Sequence, residues 1–147
     1  EEGGLHGAYE LVARGPVPRS AMAANVNIDM IGRDAGHVLY AAGTHHYAFL
    51  EPYLQGVARP PVVLRLGHDS PNGAGDWTKD SDHYAFHRSG IPFLYFGVED
   101  SGHHHRTTDD AESIQKEFLA GAVETIIAVL ERLDADLEKI SDLLEHS

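Results

Sequence analysis

No cysteine occurs among the 147 residues, which rules out disulfides and thiolate metal ligands. No apolar run approaches the roughly 20 residues that a membrane-spanning helix needs. A surplus of positive charge is missing as well: 11 Lys and Arg stand against 23 Asp and Glu, for a net charge of -12. An acidic surface repels phosphate backbones and anionic membranes, so neither nucleic acid nor membrane is expected as a partner. The first residues contain neither an initiator Met nor a signal peptide, so the chain reads as a piece of something longer. Localisation is not legible, and a secreted or periplasmic parent stays open. What is there is ordinary: 42% hydrophobic and 23% charged residues suit one globular domain, residues 1–147, able to bury a sizeable core.

The most informative stretch covers residues 76–114. Ser81-Asp82-His83 opens a helical segment anchored by Phe86, and Ser89-Gly90 stops it. Residues 91–96, Ile-Pro-Phe-Leu-Tyr-Phe, form an apolar run without alternation, the pattern of a central parallel strand covered on both faces. That strand empties into Glu99, Asp100, His103, His104 and His105. Open α/β sheets place their chemistry beyond the carboxyl ends of strands, and carboxylate with imidazole is a ligand set for zinc.

Further strands are expected over residues 23–31, 37–42 and 62–66. Helices are expected over 9–14, 47–57 and 112–133, and the tail continues helical. Alternating strands and helices predict an α/β fold, a three-layer α/β/α sandwich around a mostly parallel mixed sheet. About four strands is fewer than the five or six of common sheets, which again fits a partial domain.

Several polar residues have two readings. Asp29, near the end of an otherwise buried strand, needs a partner, which a metal or a backbone turn at Gly32 could provide. Glu1-Glu2, taken alone, is an ordinary solvated terminus, and His45, His46 and His68 are ordinary residues at loop edges. Asp109 and Asp110 suit the start of the following helix. Asp29 and His105 both follow strands, so parallel neighbouring strands would carry them to one sheet edge.

Four separated motifs then carry a resemblance. Glu1-Glu2-Gly3-Gly4-Leu5-His6-Gly7-Ala8 is similar to Glu-Glu-x-Gly-Leu-x-Gly-Ser. Asn27-Ile28-Asp29-Met30-Ile31-Gly32 is similar to Asn-x-Asp-Met-Ile-Gly. Ser81-Asp82-His83 with Phe86 and Gly90-Ile91-Pro92 is similar to Ser-Asp-His, Phe and Gly-Ile-Pro in the same order. His105-x-x-x-Asp109 is similar to a terminal Tyr-His-x-x-x-Asp motif. Together they resemble the C-terminal half of the catalytic domain of di-zinc exopeptidases of the bacterial leucyl aminopeptidase/aminopeptidase Y family.

The resemblance implies two zinc ions per complete site and peptide substrates. It makes Glu1 the general base, Glu2 and His105 ligands of one zinc, and Asp29 a ligand of the second. It leaves Asp82 and His83 with supporting roles and His103 and His104 in exposed loop. The chain also departs from the pattern. No His-x-Asp segment, the source of the bridging aspartate and a further histidine, precedes the paired glutamates. Thr78 stands where some members place a carbonyl-polarising Tyr, and His104 stands where Tyr precedes the ligand His. The 147 residues are therefore expected to hold zinc weakly, to be inactive alone, and to self-associate through surface the missing half would cover. Two other functions stay open: a glutaminyl-cyclase-like zinc acyltransferase, and a non-catalytic peptidase-like binding domain.

Overall fold

Four segments form strands in a computed structural model that describes residues 3–71, 75–100 and 102–145, three of them rich in Val, Leu, Tyr or Phe and the first alternating Asn with Val and Ile. They are β1 (Asn25–Ile28), β2 (Val38–Ala42), β3 (Val63–Leu66) and β4 (Phe93–Gly97), joined in the order β1-β4-β2-β3. The helices are α1 (His6–Arg14), α2 (His83–Arg88), α3 (Lys116–Ala135) and α4 (Leu137–Glu145). Among the described residues, no helix is long and apolar enough to cross a membrane.

Every residue of β4 is buried, which explains its lack of alternation. Leu94 and Phe96 point into the larger core, with Leu39 and Ala41 of β2 and Phe118, Ala122 and Ile126 of α3. Phe93 and Tyr95 point to the opposite face, with Ala42, Tyr47 and Trp77. α1 packs on α2, and α2 on β1 and β4, while α3 packs on a 3-10 segment (Ala48–Leu54) and on α4. The result is the expected α/β class with helices on both faces of a mixed, mostly parallel sheet.

Three local expectations change. β4 is parallel to β1 but antiparallel to β2, with Tyr40 opposite Gly97, so the central strand is parallel on one side only. The helix expected over 47–57 is the 3-10 segment, which contains Pro52, a residue with no N–H to donate. The long helix begins at Lys116, after a separate 3-10 turn (Ala111–Ser113). The break has a cause: Gln115 N donates to Gly32 O (3.0 Å), and its side-chain oxygen accepts from Asp34 N (3.1 Å), tying this backbone to the exit of β1.

The β2 exit is pressed against β4. Gly43 has φ of 128°, and a Cβ there would lie 2.2 Å from Phe93 O, so only glycine fits. The buried Asp69 carboxylate accepts from Gly43 N (2.6 Å) and His45 N (2.9 Å), joining the exits of β3 and β2.

Candidate functional site

Parallel pairing sends the carboxyl ends of β1 and β4 to the same edge, where Asp29 N extends the ladder by donating to Phe96 O (3.0 Å). A cleft of about 960 Å³ opens there. Asp29 and His105 both line it, together with Trp77, Asp80, Tyr95, Glu99 and Asp100. Glu1 and Glu2 lie outside the described residues. Among the described residues, four non-glycines have positive φ, and three of them, Met30 (57°), His68 (60°) and His105 (56°), line this cleft. Each such conformation costs on the order of 1–3 kcal/mol, and strain of this kind gathers at functional sites.

Asp29 is held from behind. Ser81 Oγ donates to Asp29 Oδ2 (3.0 Å), and Asn27 Nδ2 donates to Ser81 Oγ (2.9 Å) and to His83 Nδ1 (3.3 Å). His83 is fully buried, stacks on Tyr95 (4.7 Å between ring centres) and donates from Nε2 to Trp77 O (2.9 Å). A carbonyl can only accept, so the proton sits on Nε2 and Nδ1 is left to accept from Asn27. Burial outweighs the opposing pull of the nearby Asp29 charge, holds this imidazole neutral and pushes its pKa from 6.5 down to about 4. Asp82 stands before α2, its side chain makes no capping bond, and its carbonyl accepts from Ala85 N (3.1 Å).

One wall of the cleft is aromatic. Trp77 and His68 stack at 3.7 Å, and Tyr40 meets both edge-on. His68 Nε2 pairs with Glu99 Oε1 (3.0 Å). Thr78 does not line the cleft. It is buried, donates from Oγ1 to Asp76 Oδ1 (2.5 Å) and bonds His46 Nε2 (2.9 Å), which leaves its hydroxyl no part in polarising a substrate. Those bonds from Thr78 hold the Asp76 carboxyl below the usual carboxylate range.

His105 sits in a succession of turns. His103 N donates to Asp100 Oδ1 (3.0 Å), His104 N to Asp100 O (3.2 Å), and Arg106 N to His103 O (2.9 Å). His104 lies in exposed loop, as expected; its ring stacks on that of His105 at 3.8 Å and lines the cleft. Asp110 does cap the following 3-10 turn, accepting from Ser113 N (3.0 Å), whereas Asp109 turns instead to Arg33.

Arg33 is the residue that the sequence did not reveal. Nε donates to Asp100 Oδ2 (2.7 Å), Nη2 to Asp109 Oδ1 (2.5 Å), and Nη1 to Ser113 Oγ. Its one sequence signal is its place in Gly32-Arg33, just past the strand end that carries Asp29.

A catalytic zinc takes three protein ligands and keeps one open position. Asp29 and His105 are donors of the right kind, a carboxylate and an imidazole in one open cleft, so they fit zinc in chemistry. They do not complete a site: among the described residues, no three His, Asp or Glu side chains gather closely enough to hold a metal ion. Further donors must join them. Comparisons with the curated proteins and with the solved structures returned no match. A family model described as Peptidase family M28 matches residues 1–130.

Proposed function

The chain belongs to Peptidase family M28, a family of zinc-dependent metallopeptidases, and from that premise we propose an aminopeptidase-like exopeptidase of the leucyl aminopeptidase/aminopeptidase Y type, hydrolysing N-terminal peptide bonds. The observation that supports this reading is the single cleft lined by both Asp29 and His105 at the carboxyl ends of parallel strands. His105 and Glu2 would hold one zinc and Asp29 a second. When bound, the two ions would polarise the scissile carbonyl and lower the pKa of the attacking water. Glu1 would take that water's proton and pass it to the leaving amine. Ser81 fixes the Asp29 carboxylate from behind. Asp80 and Glu99 give the cleft a negative wall suited to the ammonium of a peptide N-terminus.

Peptides are thus the proposed partners, and nucleic acid and membranes are not. A second copy of the chain is also proposed as a partner, because the edge strands expose Ile28 (46%), Val63 (46%) and Leu66 (42%).

These 147 residues offer one zinc two donors and the other one, below the three that a catalytic zinc takes. The expected result is zinc binding weaker than micromolar, no release of aniline from leucyl-anilide, and loss of zinc binding in Asp29→Asn and His105→Ala. Calorimetric titration and the hydrolysis assay check this. Submicromolar binding with turnover would mean that His103, His104 or a second chain completes the ligand set. Unchanged zinc binding in both variants would overturn the site. Cyclisation of an N-terminal glutamine peptide would move the reaction to acyl transfer.

A further inference from the structure

We infer that Arg33 is a positioning residue for the metal-holding pair: it latches the turns that present His105 to the strand end that presents Asp29. The inference rests on the reading of Asp29 and His105 as ligands. Its geometry is specific. One guanidinium reaches Asp100 with Nε, Asp109 with Nη2 and Ser113 with Nη1. Asp100 and Asp109 stand on either side of His105, and each also organises the turns between them. Asp100 accepts from His103 N and His104 N, and Asp109 N donates to Arg106 O (3.1 Å). A planar fork of fixed donors can hold such acceptors in one arrangement, which a flexible ammonium cannot.

The other end of the latch is fixed too. The residues before and after Arg33 are both bonded to Gln115, through Gly32 O and Asp34 N. Arg33 therefore projects from backbone anchored to the start of α3.

His105 needs such help. Apolar packing does not hold it: His104, His105, Arg106, Thr107, Thr108 and Asp109 are all exposed, and His105 keeps a left-handed φ of 56°. Exposed ion pairs contribute little on their own. The Arg33 and Asp100 side chains, however, are only 13% and 12% exposed, so this pair is partly withdrawn from water and its geometry is enforced. Asp109 is 58% exposed, so its loss should disturb the latch and spare the fold.

The test uses the full chain with Zn²⁺ alone as the probe. Zinc titration is followed through the His105 imidazole NMR signals, and hydrogen exchange is measured at residues 102–109 without metal. Asp109→Asn and Arg33→Lys are each expected to weaken zinc binding about tenfold or more, as losses of supporting partners do. Exchange at 102–109 should rise in both, with β4 amides unchanged. The double variant should be little worse than Arg33→Lys alone, because the contact that Asp109→Asn breaks is one of those that Arg33→Lys already removes. Unchanged zinc affinity and unchanged exchange in both variants would overturn the latch, as would a lowered Tm with wild-type zinc affinity. His105→Ala separates the two levels of inference. If it leaves the titration as in wild type, the ligand reading has failed; if it abolishes binding while Arg33→Lys and Asp109→Asn do nothing, only the latch has.

Discussion

Leu94→Asp is expected to leave no folded protein, and Val63→Asp to leave a protein that melts near wild type. Both residues lie on strands, so β propensity does not separate them. Leu94 is 1% exposed in the middle of β4, paired with Val26 across the ladder and packed in the α3-side core. Truncating a buried Leu costs about 2–5 kcal/mol by itself. An unpaired carboxylate in its place adds several more. Against a net stability of about 5–15 kcal/mol, the sum removes most or all of the folded population. Val63 is 46% exposed on the β3 edge, where an aspartate stays in water. Soluble yield and thermal melts by circular dichroism check the pair. Wild-type-like melting of Leu94→Asp would show that β4 is peripheral.

Acid should destabilise the protein through His83 by about 3 kcal/mol at pH 4. The fold holds this imidazole neutral, with a pKa near 4 against 6.5 for an ordinary histidine. The unfolded chain therefore takes up a proton first as pH falls. The stability is fully present above about pH 6.5 and is lost progressively toward pH 4, at about 1.4 kcal/mol per pH unit. Ten other histidines could contribute slopes of their own, so the comparison must be with a variant. His83→Gln keeps an acceptor for Asn27 and a donor for Trp77 O but does not titrate. In urea titrations at pH 7 and pH 4, wild type should lose about 3 kcal/mol more than His83→Gln. Equal losses would show that burial does not hold His83 neutral.

The sequence revealed some of this fold because some of its physics is local. β4 declared itself through the unbroken apolar run of residues 91–96, and α3 through Phe118, Leu119, Ala122, Ile126, Val129, Leu130 and Leu133 at helical spacing, of which all but Leu119 and Leu130 are buried. What failed was decided elsewhere in the chain. Nothing in an apolar run says that β4 lies parallel to β1 and antiparallel to β2. The late start of α3 depends on Gln115 being held by Gly32 and Asp34. At the site, Asp29 was noticed because a carboxylate closing a buried strand needs a partner. A run of three histidines does not single out His105, and only the resemblance did so. Arg33 was out of reach because its partners lie 67 to 80 residues further on. Thr78 was doubtful from sequence alone, and its bonds to Asp76 and His46 give the reason.

β1 is joined to the sheet on one side, with β4 its strand partner among the described residues. An edge held by one ladder can peel away at less free energy than global unfolding requires. Such an excursion would carry off Asn27 and Asp29, and with them the turn bearing Arg33 once its bonds to Gln115 break, while β2, β3, β4 and α3 keep most of their core. Ligand binding and docking of this edge would then be one thermodynamic event. Anything gripping both Asp29 and His105 staples the strand in place, raising its opening free energy by about 2.7 kcal/mol at a hundred times the dissociation constant. The signature of an occupied cleft would be amides of residues 25–28 that exchange more slowly, with the slowest core amides unmoved.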